Sequence, residues 1–176
     1  MKRLIRYCWP IALATLMAGC AVIQSEDSAP IPSDSTFAVV PLTNLSQSPQ
    51  AGEQAASILA AIMRAKGSKN VTLFLPENRN PLLFDNTEQR KDAIEAAQQQ
   101  GADYLVTGTV EEWRYKSGLD GEPAVGVTLE IRTEDGHTIV WSGTSARTGW
   151  GRESLSVAGH KVIDELTEAM PLVSPQ

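Results

Sequence analysis

Cysteine is almost missing from this chain. Of 176 residues only Cys8 and Cys20 are cysteines, too few for a disulfide framework or a thiolate metal centre. Histidine is as scarce, with His137 and His160 alone. Aromatic residues make up 6%. The apolar run from Tyr7 to Met17 is too short to cross a bilayer, and Pro10 interrupts it. No Gly-X-Ser-X-Gly elbow is present, nor a glycine-rich loop that would cradle phosphate. The common hydrolase and nucleotide-binding signatures are therefore absent, and no metal or other cofactor is expected.

What is present starts at the amino terminus. Lys2, Arg3 and Arg6 precede the apolar run, and Leu16-Met17-Ala18-Gly19-Cys20 closes it. Small residues before a cysteine, after a basic start and an apolar stretch, have the form of a secretory signal ending at a lipid-attachment site. Leu usually stands three places before that cysteine; here it is Met17, with Leu16 one place earlier. A plain signal peptide and an uncleaved anchor are the alternatives. On the lipoprotein reading, residues 1–19 are a signal peptide that is removed, and Cys20 carries acyl chains such as palmitate. Each buried methylene contributes roughly 0.8 kcal/mol, so three chains anchor the protein durably. Ala21, not Asp, follows the cysteine, which favours the outer membrane.

Removing nineteen residues from 176 leaves 157, the size of one ordinary domain. All twenty-one acidic residues but only twelve of the fifteen basic ones lie in this part. Its net charge is therefore −9. Such a surface repels nucleic acid and anionic lipid and attracts a cationic partner; it also serves solubility alone.

Residues 20–35 hold Ser, Pro, Asp and Glu without apolar periodicity and are expected to form a flexible tether. Residues 36–176 are the expected folded α/β domain in the periplasm. Phe37-Ala38-Val39-Val40, ended by Pro41, suits a buried strand. Ala55, Ile58, Leu59, Ile62 and Met63 mark a helix with one apolar face, and Gly67 stands where a C-terminal cap belongs. Val71 to Leu75 is a second strand. The stretch 77–86 is a loop. A helix from Thr87 turns Ile94 and Ala97 inward and ends at Gly101, and Tyr104 to Tyr115 is a long strand. Strand, helix, strand, helix, strand argues for a parallel core.

Val125, Val127, Leu129 and Ile131 alternate with Gly126, Thr128, Glu130 and Arg132, as in a half-buried strand. The next strand contains Ile139 and Trp141. A three-residue turn with Gly136 left-handed pairs Ile131 with Ile139 and Leu129 with Trp141, which gathers four apolar residues on one face. A two-residue turn would mix them with charges, so the longer turn is expected. Leu155, Ala158, Val162, Ile163 and Leu166 define a last helix. The expected fold is a single three-layer-type domain on a mixed sheet, in the order βαβαβββα, with helices covering its core face.

Few residues suggest catalysis. His160 and Asp164, one helical turn apart, are two ligands short of a metal site. Ser154 or Ser156 near His160 lacks the rest of a nucleophile's setting. Glu111 and Glu112, adjacent on a strand, are expected on opposite faces, unlike the facing carboxylates of a glycosidase. The protein is not expected to be an enzyme. Two features stand out instead. Trp150 lies between two glycines, either folded back on the core or set at a membrane interface. Asp120 and Glu122 sit in a loop between strands, as a plain turn or as an acidic binding surface.

Gly101-Ala102-Asp103-Tyr104-Leu105-Val106-Thr107-Gly108-Thr109-Val110, Glu112-Trp113-Arg114-Tyr115-Lys116, Gly118 to Gly126 and Arg147-Thr148-Gly149-Trp150 resemble the PelC family, the outer-membrane lipoproteins of Pel exopolysaccharide export. More broadly the layout is similar to the amino-terminal domain of TolB and to the curli-secretion protein CsgG. The resemblance implies a homo-oligomeric ring, a dodecamer, on the periplasmic face of the outer membrane. That ring guides a cationic, partly deacetylated amino-sugar polymer to a PelB-like β-barrel exporter for the biofilm matrix. It implies Trp150 against the lipid beside acylated Cys20, and Asp120 with Glu122 on the acidic surface. Two other classes compete: a lipoprotein regulator of an envelope enzyme such as a peptidoglycan synthase, and a carbohydrate hydrolase.

Overall fold

The run at Phe37 is fully buried because strands flank it on both sides and helices cover both of its faces. A computed structural model describes residues 21–25, 28–76, 87–117, 121–150 and 152–174. The expected signal peptide, Cys20, the 77–86 loop and Asp120 lie outside these residues. The strands are β1 (Ala21–Ser25), β2 (Ile31–Pro32), β3 (Phe37–Val39), β4 (Thr43–Asn44), β5 (Val71–Leu73), β6 (Tyr104–Tyr115), β7 (Pro123–Thr133), β8 (Ile139–Thr148) and β9 (Leu172–Val173); the helices are α1 (Ala51–Ala65), α2 (Thr87–Gln99) and α3 (Leu155–Ala169). From β3 to α3, setting aside the two-residue β4, the order is the βαβαβββα expected.

A mixed seven-stranded sheet runs β1-β8-β7-β6-β3-β5, with β4 also on β6. β3 is parallel to β5 and β6, while β6, β7, β8 and β1 follow one another antiparallel. The parallel part is the βαβαβ half, where helical crossovers permit it. One face buries Phe37, Val39, Val106, Trp113, Leu129 and Trp141 under α1 and α3, which contribute Leu59, Met63, Val162, Ile163 and Leu166. Gly159 makes this closeness possible: a Cβ there would stand 2.3 Å from the Trp113 ring. The third helix, α2, lies on the opposite face, where Ala93 and Ala97 meet Ala38, Val40 and Leu105. Helices therefore cover both faces, not the core face alone.

The Gly101-Ala102-Asp103-Tyr104 motif is explained by packing. Gly101 ends α2 with φ of 71° and Ala102 is buried. Asp103 Oδ2 accepts from the Thr36 amide at 2.7 Å. Tyr104 stacks on Phe37 with ring centroids 5.7 Å apart. These contacts start β6 in register beside β3.

Three sequence expectations are corrected. The segment 20–35 is not wholly a tether: β1 pairs with β8, Ala21 opposite Arg147, and β2 pairs with β9. Both are short strands stabilised by backbone ladders to distant partners, so no local periodicity marks them. The β7–β8 turn is longer than expected. Thr133 and Thr138 close a four-residue loop, in which Asp135 Oδ1 accepts from the Thr133 hydroxyl at 2.6 Å and the His137 amide at 2.9 Å. The Thr133 hydroxyl bond, then the His137 amide, hold the Asp135 carboxyl below its usual pKa. Gly136 is left-handed as expected, φ 73°. A bulge then makes Ile131 oppose Trp141 and Arg132 oppose Ile139. Ile139 leaves the core face and is 44% exposed. Finally, a bulge between Val110 and Glu112 sets two residues against Gly126. A Cβ on Gly126 would lie 3.7 Å from Glu112 Cβ and 3.8 Å from Glu111 Cβ, so the two glutamates share one face instead of dividing between two.

Candidate functional site

The features singled out in the sequence converge on one end of the sheet. There β6 ends, β7 begins, β8 ends and β1 begins. Tyr115 pairs with Pro123, Ala124 with Thr148 and Ala21 with Arg147. Cys20 is covalently joined to Ala21, so its point of attachment is the residue opposite Arg147. Trp150 follows three residues after that arginine.

Trp150 is not folded back on the core: it is 63% exposed. The loop that carries it is fixed at both ends. The Gly149 amide donates to the Pro123 carbonyl at 2.8 Å, and the Trp150 carbonyl accepts from the Glu153 amide at 2.8 Å. Gly149 leaves no room for a side chain, since a Cβ would meet Glu153 Oε2 at 2.4 Å. The Glu153 carboxylate, only 10% exposed, takes Lys161 Nζ at 2.7 Å and stands 3.8 Å from Arg147 Nη2. The Lys161 hydrogen bond, with charge from Lys161 and Arg147, lowers its pKa below the ordinary glutamate value against the opposing effect of burial. One carboxylate thus joins the Trp150 loop, the β1-paired end of β8 and the first turns of α3.

Two further large apolar or half-apolar side chains are exposed at the start of α3. Tyr115 is 51% exposed, and its hydroxyl accepts from the Leu155 amide at 2.9 Å. Val157, in the first turn of α3, is 45% exposed. Neither was singled out in the sequence. Alternation alone put Tyr115 at the end of a strand, and its exposure depends on where α3 starts.

Of the acidic loop, Glu122 is described. It is half-buried, and its carbonyl accepts from the Lys116 amide at 2.7 Å. Nearby on the bulged part of β6, Glu111 accepts from the Thr109 hydroxyl. Glu112 pairs with Arg114 at 2.9 Å. The bulge that aligns these two carboxylates was not legible as alternation.

The catalytic candidates do not assemble. Ser154 caps α3, its side chain accepting from the Val157 amide at 3.2 Å. Asp164 is engaged by Lys66 at 2.9 Å, away from any ligand set. That contact and one to Glu168 raise the Lys66 pKa, Asp164 contributing most. Among the described residues no group of three or more His, Cys, Asp or Glu is placed to hold a metal, and no described helix is long and apolar enough to cross a membrane.

The fold has solved counterparts. A PelC dodecamer from Paraburkholderia phytofirmans is 35% identical, with a TM-score of 0.71, and the match covers 89% of this chain and 100% of that one. A single-substitution variant of that dodecamer gives 33% identity and a TM-score of 0.72, covering 88% and 100%. No protein-family model and no curated protein matches the chain.

Proposed function

The chain belongs to the PelC family, and on that premise we propose that it is a non-catalytic outer-membrane lipoprotein. It forms a ring, dodecameric as in its relative, that guides a cationic amino-sugar polymer towards a β-barrel exporter. The observation that carries this reading is the 35% identity over the full length of a subunit whose solved form is a PelC dodecamer. The lipid-attachment sequence at Cys20 and the exposed Trp150 give the ring one membrane-facing end. Indole is favoured at a bilayer interface, as is Tyr. Acylated Cys20 enters at the same end, through Ala21.

Charge supplies the guidance. A mature chain of net charge −9, repeated around a closed ring, concentrates a polycation near its mouth over a screening length of about 8 Å at physiological salt. Weak contacts along a repeating polymer then add through multivalency. Asp120 and Glu122 belong to this surface. The test uses the mature lipoprotein and a partly deacetylated amino-sugar polymer. Binding weakens steeply with added salt, and Asp120→Asn with Glu122→Gln weakens it severalfold at low salt. Trp150→Ala reduces partition to vesicles of a non-acylated form. Polymer binding indifferent to both salt and the two substitutions contradicts the electrostatic reading.

A further inference from the structure

The end of the sheet away from Trp150 contains a cleft that the export reading does not use. It lies between α2 and the face of β6 and β7, beside the β7–β8 loop, and has a volume of about 480 Å³. That is within the range of small-molecule sites. Its wall includes the Thr107 hydroxyl, whose residue is 6% exposed and whose Oγ1 has no hydrogen-bond partner. A buried hydroxyl left unpaired is costly, and such groups point to an absent partner. Arg90, half-buried on the first turns of α2, also lines the cleft and makes no ion pair among the described residues.

Each carboxylate around the cleft already holds at least one donor. Glu130 takes Arg132 through two contacts, at 2.8 and 2.6 Å. Asp135 takes Thr133 and the His137 amide. Glu95 lies 3.7 Å from Lys91. What is left over is donor capacity, from the Arg90 guanidinium and the Thr107 hydroxyl, above an apolar floor of Val40, Ile94 and Leu105. The ligand must therefore bring an acceptor, and one matched to a single guanidinium. A planar monoanionic carboxylate meets that fork with two hydrogen bonds. A dianionic phosphate or sulfate would face three carboxylates, with Arg90 the one lining cation outside an ion pair among the described residues. Those same carboxylates retain lone pairs for an ammonium or amide N–H.

We propose that the cleft between α2 and the β6–β7 face binds an amino acid or short peptide, its carboxylate on Arg90 and Thr107 and its side chain on Val40, Ile94 and Leu105. The proposal does not depend on the ring or on polymer export. Titration calorimetry on the mature lipoprotein in detergent tests it, with alanyl-leucine, its carboxamide, leucine and inorganic phosphate as probes. Alanyl-leucine gives saturable heat, and loss of one charge-assisted pair makes its carboxamide about tenfold weaker. Arg90→Gln weakens binding by a similar factor, and Arg90→Lys retains more than Arg90→Gln. Thr107→Val weakens binding while leaving the melting temperature unchanged or higher, because the unpaired hydroxyl is gone; that result separates a binding role from a structural one. Leucine binding as tightly as alanyl-leucine assigns the cleft to a free amino acid, and tighter binding of the dipeptide assigns it to a peptide end. Equal heats from acid and carboxamide, phosphate binding as tightly as alanyl-leucine, or no heat from either leucine or the dipeptide overturns the proposal.

Discussion

Glu153 is the residue on which the Trp150 loop turns. Its carboxylate is nearly buried yet stays ionised, because Lys161 and Arg147 flank it. Its folded pKa lies below the ordinary value, so the stability it contributes is complete above the unfolded pKa. That stability is lost as pH falls through the folded one. Glu153→Gln is expected to cost about 1 kcal/mol at neutral pH, since Lys161 is half exposed and the pair is partly screened. It is also expected to flatten the fall of melting temperature below about pH 4.5, the range in which an unfolded glutamate takes up its proton. Thermal melts of the two proteins across acid pH check both. A variant that melts like the parent at neutral pH and falls as steeply in acid removes Glu153 from this role. At this scale the sequence told part of the story. Trp150 between glycines drew notice as a residue, but Glu153 did not, because its partners are six residues back on a strand and eight ahead on a helix.

The elements show where periodicity carries a fold and where it stops. α1, α2, β6 and α3 follow their expected spans closely, since each has enough residues for a repeat to register; β6 runs from Tyr104 to Tyr115 as read. The β7–β8 pairing differs because side-chain hydrogen bonds of Asp135 and Thr133 widen the turn, and alternation cannot report them. The correction has a measurable consequence. Ile139→Thr, at an exposed position, changes stability by about 0.5 kcal/mol or less, whereas Trp141→Ala, at 1% exposure, costs about 3–5 kcal/mol. Equal large losses in urea titration would restore the expected turn. β1 was illegible for another reason: it is an edge strand of five residues whose backbone ladder is made with β8 on one side. Its amides are expected to exchange with deuterium more slowly than a free tether and faster than β7, which is paired on both sides. Exchange at the intrinsic unfolded rate across residues 21–25 contradicts the pairing.

For the whole molecule, the lipid-attachment sequence and the acidic balance were readable without any structure, because both are properties of composition and order. That Trp150 lies beside the amino-terminal attachment point was implied only by the family resemblance; its physical basis, β1 folding back on β8, leaves no mark in the local sequence. Under the proposed function, this juxtaposition sets the membrane side of each subunit, and the ring's acidic surface meets a polymer arriving from the periplasm. The most direct test is the native mass of the lipoprotein extracted from outer membranes in mild detergent. The expected result is a dodecamer whose subunits each begin at Cys20 and carry the mass of three acyl chains. A monomer, or a subunit that retains residues 1–19 and no fatty acid, contradicts it.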